Sequence, residues 1–79
     1  MYVRFLTYDL NSASSEKYQD LYDLLNTYEY KQITESTYQI STNEDWETFK
    51  RKFYRVTRTN DNVKAIVLYN GAMDVRTIR

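Results

Sequence analysis

Asp9 is the acidic residue best placed for chemistry. It ends an apolar, β-branched segment and stands just before a small polar stretch, Asn11 to Ser15. A carboxylate at the end of a central strand can hold a magnesium ion, and metal-assisted phosphodiester cleavage uses oxygen ligands of this kind. One carboxylate per chain is too few. The chemistry therefore requires a two-fold axis that brings two copies of Asp9 together, with Asn11 and Ser12 as accessory ligands. The same residues serve structure equally well: Asp9 can cap the turn into a helix through an Asx-type hydrogen bond, and Asn11 and Ser12 can be ordinary loop residues.

A second group is basic. Lys50, Arg51, Lys52, Arg55 and Arg58 put five positive charges in nine residues. Lys50, Arg51, Arg55 and Arg58 are candidates to grip phosphates, each neutralised phosphate adding a salt-dependent increment to binding. The default for such a face is pairing with an acidic neighbour, or plain solvation. Tyrosine forms the third group, at nine in 79 residues. Tyr18, Tyr22 and Tyr28 belong to a helical stripe, which leaves Tyr2, Tyr30, Tyr38, Tyr54 and Tyr69 for an interface with protein or for stacking on nucleobases. Trp46 reads as core. Cysteine and histidine are absent, and this removes thiol nucleophiles, disulfides, imidazole bases and His or Cys metal sites. The single glycine, Gly71, cannot build a phosphate-cradling loop.

The elements that must position these residues follow from periodicity. Met1 to Tyr8 carries Val3 and Phe5 on one face and Leu6 and Tyr8 on the other, as a central strand does. Asn11 to Ser15 supplies N-cap hydroxyls for a helix whose stripe is Tyr18, Leu21, Tyr22, Leu25 and Tyr28. From Tyr30 to Thr42 the apolar phase slips between Ile33 and Tyr38, which predicts a turn or bulge near Glu35 and Ser36. Ser41 and Glu44 fit a capping box ahead of a second helix with a stripe of Trp46, Phe49, Phe53 and Val56. The loop Thr59 to Asn62 leads into an apolar strand, Val63 to Tyr69. Asn70-Gly71 then marks a hairpin into Ala72 to Ile78.

This order predicts an α+β fold of the ferredoxin-like βαββαβ type, one domain over residues 1–79, with two helices on one face of an antiparallel sheet. The C-terminal segment 72–79 either closes a hairpin or exchanges with another chain. The other sheet face needs a cover, and in so short a chain the simplest cover is a second copy, so a homodimer is expected. Net charge is zero, yet residues 1–49 hold three basic and nine acidic side chains while residues 50–79 hold eight basic and two acidic. No apolar run is long enough to span a bilayer and no cleavable signal segment is evident, so a cytoplasmic protein without a membrane partner is expected.

The segment Tyr2-Val3-Arg4-Phe5-Leu6-Thr7-Tyr8-Asp9-Leu10 resembles the first strand of the CRISPR-associated Cas-two family and its relative, virulence-associated protein D. Closer still are small uncharacterised bacterial and phage proteins of that group, matched by Thr7-Tyr8-Asp9-Leu10-Asn11, Ser36-Thr37-Tyr38 and Asn60-Asp61. The resemblance implies a ferredoxin-like homodimer in which Asp9 faces its symmetry mate and binds Mg2+ for nuclease activity. The sequence departs from it in lacking an arginine-rich first helix and a basic surplus. Two functions follow: a homodimer associated with DNA or RNA, as a magnesium-dependent endonuclease or without catalysis; or a non-catalytic phage or mobile-element protein that binds and inhibits a host or defence protein. A purely structural dimer is the third reading.

Overall fold

The computed structural model describes residues 1–10, 15–69 and 71–79, without the side chains of Ser15 and Tyr69. The accessory ligands expected at Asn11 and Ser12, the N-cap hydroxyls up to Ser15, the interface candidate Tyr69 and the turn residue Asn70 lie outside that description. The chain order is β1 (Tyr2–Asp9), α1 (Ser15–Leu25), β2 (Glu29–Thr34), β3 (Thr37–Thr42), α2 (Trp46–Arg55), β4 (Asn62–Tyr69) and β5 (Ala72–Thr77). The strands form one antiparallel sheet in the order β2-β3-β1-β4-β5. This is a small α+β arrangement of two helices and five strands, consistent with the expected ferredoxin-like type.

Strand β1 is central, as its two apolar faces required. Leu6 and Tyr8 are buried on the helix side with Tyr38, Ile40, Val63 and Ala65, and the helices add Leu21, Leu25, Phe49 and Phe53. Burying a side chain of this size contributes about 1.5–3 kcal/mol, so these few residues carry most of the stability of a small domain. The phase slip after Ile33 resolves into a β2–β3 hairpin, with a register irregularity between Gln32 and Thr34. Ala72–Thr77 pairs with β4 of its own chain, from Tyr69 opposite Ala72 to Lys64 opposite Thr77. Gly71 takes a φ of 80°, the left-handed conformation that the hairpin turn demands.

Three expectations are corrected. Ser41 and Thr42 belong to β3, so the capping box from Ser41 to Glu44 does not form; Asp45 caps α2, accepting from the Thr48 amide at 2.8 Å. The chain cannot cap a helix at Ser41 while Ser41 still pairs with Val3 in the sheet. Tyr38, expected at an interface, is only 6% exposed, because it faces the helices beside Tyr8, with the two rings 6.2 Å apart. Tyr22 departs from its expected place too. It sits on the buried stripe of α1 yet remains exposed, because α1 leaves the edge strand β2 uncovered.

Candidate nucleic-acid interface

Helix α2 begins under a firm cap. Hydrogen bonds from the side chain and backbone of Thr48 hold the Asp45 carboxyl below the usual carboxylate range, so it stays charged at the positive end of the helix. Phe49 and Phe53 fix the inner face, and everything between them turns outward. Arg51, Lys52, Arg55 and Arg58 are exposed and Lys50 is half-buried. Arg51 and Arg55 are four residues apart, so they share one side of the helix, and Arg58 follows past the helix end.

The C-terminal end is held by a residue whose role had no signal in the sequence. The Arg79 guanidinium donates from Nη2 to the carbonyls of Tyr54 (2.9 Å) and Thr57 (3.1 Å), and from Nε to the Thr57 hydroxyl (3.2 Å). It also lies 3.5 Å over the Tyr54 ring. A cation here satisfies carbonyls that the helix cannot pair itself and complements the negative end of its dipole. Tyr54 is 47% exposed, and with Glu47, Lys50 and Arg51 it lines a shallow hollow of about 350 Å3.

Pairing with the acidic first helix does not occur among the described residues; solvation, the other default for this face, is what the exposed bases show. Lys17 pairs with Asp61 at 2.6 Å, Lys52 pairs with Glu44, and Arg76 pairs with Asp74 at 3.0 Å. None of these ion pairs joins the exposed acids of α1, Glu16, Asp20 and Asp23, to a base of α2. Among the described residues, Lys52 is the member of the basic group that joins an ion pair, while Arg51 lies near enough to Asp45 to act on its charge. Lys50, Arg51, Arg55 and Arg58 therefore join no ion pair among the described residues, and Lys50 and Arg51 share the hollow of the exposed Tyr54 with Glu47.

Asp9 is elsewhere. It is exposed at the end of β1, opposite Asn62, and it borders a hollow of about 720 Å3 with Thr7, Tyr8, Tyr18, Tyr22 and Lys64 among its walls. None of the four phosphate-contact candidates lines that hollow. No group of three potential metal-ligating residues occurs among the described residues. Of the remaining interface candidates, Tyr2 and Tyr30 are 55% and 43% exposed. The Tyr30 hydroxyl donates to Asn26 Oδ1, and the Tyr2 ring lies 4.9 Å from the Arg4 guanidinium.

Arg4 and Asp61 are charged residues in buried places that the sequence reading gave no function. Arg4 is 4% exposed among Tyr2, Phe49 and Trp46; its Nη1 has no hydrogen-bond partner, and burial lowers its pKa. The signal was its even position, in phase with Leu6 and Tyr8. Asp61 accepts from Lys17 and from the Arg58 amide (2.7 Å), which ties the start of β4 to α1. No family model, curated protein or solved structure matches the chain.

Proposed function

We propose that this chain is a small nucleic-acid-binding protein of ferredoxin-like fold that works as a homodimer and grips the phosphate backbone through α2, with no catalytic step assigned. The observation that carries this reading is the set Lys50, Arg51 and Arg55 on α2 with Arg58 just beyond it, none in an ion pair among the described residues, while acidic α1 sits next to the helix without engaging them. Selection for stability alone would favour pairing such charges. A face left positive beside an exposed tyrosine suits phosphates with a base or sugar stacked alongside. The Cas-two resemblance agrees with a nucleic-acid partner. Its magnesium-dependent nuclease role for Asp9 needs a second copy of that carboxylate in reach.

The test is a salt titration of binding to a short DNA duplex and to single-stranded RNA. With four contacts, the slope of log K against log salt on duplex is about −3 to −4, and Arg55→Ala with Arg58→Ala reduces its magnitude by about 2. No binding at low salt, or a slope untouched by the double substitution, overturns the reading. The exposure of Tyr2 and Tyr30 favours a host or defence protein as the alternative partner, and absence of nucleic-acid binding would leave that reading standing.

A further inference from the structure

Helix α1 leaves one edge of the sheet uncovered. Leu21 and Leu25 are buried against the core, whereas every residue of the edge strand β2 is exposed. The space between α1 and the β2–β3 hairpin is a cleft of two adjoining hollows that share Tyr22 and Gln32. The larger, about 720 Å3, runs around the end of β1 to Asp9 and Glu35. The smaller, about 320 Å3, reaches Tyr30 and Asn26.

Tyrosine lines the cleft throughout. Tyr18 and Tyr22 stand side by side on α1 with ring centres 6.0 Å apart, and Tyr8 and Tyr38 stack on the sheet at 6.2 Å. Tyr30 meets Tyr38 edge-on at 5.6 Å, and its hydroxyl donates to Asn26 Oδ1. Five of the nine tyrosines therefore border one cleft. Tyr22 keeps 38% of its surface exposed there, although covering that ring would stabilise a small domain.

We infer that this cleft binds a small organic cation, an amine or guanidine carried on a flat apolar body. Volume, walls and charge point the same way. A cavity of several hundred Å3 with aromatic walls and a few polar groups suits a small molecule. Tyrosine faces attract a cation through the negative face of the ring, and they stack with a flat apolar body.

Charge selects the sign. Among the described residues, the larger hollow is lined by the carboxylates of Asp9 and Glu35 and by the ammonium of Lys64, which donates to the Arg79 carbonyl at 2.8 Å. Glu16, Asp20 and Asp23 add to the negative potential along α1. The smaller hollow has no charged group in its described lining. The cation thus belongs beside Asp9 and Glu35, with its flat body along Tyr22. None of Lys50, Arg51, Arg55 and Arg58 lines either hollow, so this site is separate from the α2 face and does not depend on nucleic-acid binding.

The test is a nuclear magnetic resonance titration of the full chain with 2-phenylethylammonium, beside 3-phenylpropionate, which carries the same ring and the opposite charge. The ammonium should shift the ring signals of Tyr18 and Tyr22 saturably, with a Kd on the order of 1 mM for so small a ligand, and the carboxylate should bind about tenfold more weakly or less. Asp9→Asn with Glu35→Gln, both exposed positions, should weaken the ammonium by about fivefold. Tyr22→Leu should weaken it by about threefold. Absence of saturable shifts, or equal binding of the two probes, overturns the site, and both results are read on the unaltered chain. Ammonium binding that is unchanged when both carboxylates are replaced overturns their part in selecting a cation.

Discussion

Asp61 shows how much a single residue can carry in a chain this small. Its side chain is completely buried, its two oxygens serve Lys17 and the Arg58 amide, and the Lys17 side chain is only 10% exposed. Removing the carboxylate takes the opposite charge from that ammonium, and breaking a buried pair in this way costs about 3–5 kcal/mol. Net stability for 79 residues is roughly 4–12 kcal/mol at the usual value per residue. Asp61→Ala should therefore lose about a quarter or more of the stability in urea denaturation. Lys17→Met on that background should recover part of it by removing the stranded charge. A loss within about 0.5 kcal/mol for Asp61→Ala would mean that the pair is solvated and does not anchor the loop. Neither partner was legible in the sequence. Asp61 lies in a run of loop-forming residues, and forty-four positions separate it from Lys17.

Elements were legible where periodicity was strong, and illegible where two local signals competed. Val63 to Tyr69, the Asn70-Gly71 hairpin signal and the α2 stripe all agree with the strands and helix observed. The Ser41 to Glu44 capping signal lost to the sheet register, because β3 gains ladder hydrogen bonds from Ser41 and Thr42 that a cap would forfeit. Glu44, freed from that role, accepts from the Tyr28 hydroxyl and from Lys52. Tyr28 lies past the end of α1 and stacks on Phe53 at 5.8 Å, so one phenol joins the α1–β2 connection to α2. Tyr8 plays the corresponding part between β1 and the β2–β3 turn, donating to the Glu35 carbonyl at 3.2 Å. Burial first, then hydrogen bonding, raises the pKa of both above the ordinary 10.0, Tyr8 through Tyr22 and Tyr38 and Tyr28 through Glu44. The folded chain therefore keeps protons that the unfolded chain releases, and their contribution is complete below about pH 10 and declines as pH rises beyond it. Ultraviolet titration should show at least two tyrosines ionising only as the chain unfolds in alkali. Reversible ionisation of all nine in the folded state would contradict the bridging role of these two phenols.

At the scale of the whole molecule, the position of Asp9 relative to the exposed Leu68, Met73 and Val75 separates a binding dimer from a metal-dependent one. Asp9 has the odd phase of Val3 and Phe5, so it shares the open sheet face with these side chains, but it stands at the far end of β1, one strand away from β4. In a sheet-to-sheet homodimer with its two-fold axis along β4, the offset of β1 would double to about 10 Å across a gap of about 10 Å and set the two Asp9 backbones roughly 14 Å apart. An axis across the strands separates them further still. A magnesium ion ligated directly by both carboxylates needs oxygens about 2.0–2.1 Å from the metal, which that spacing does not provide. Placing the axis over β1 would bring the two Asp9 residues face to face, but it would leave Met73 and Val75 of β5 beyond the centre of the contact. Of these two homodimers, the one that would cover the exposed apolar side chains of β5 is the one that would keep the carboxylates apart. Asp9→Asn should accordingly leave dimerisation and duplex binding unchanged, and magnesium should produce no cleavage that this substitution removes. Cleavage that requires magnesium and vanishes in Asp9→Asn would move the axis to β1 and restore the nuclease role that the sequence resemblance implies.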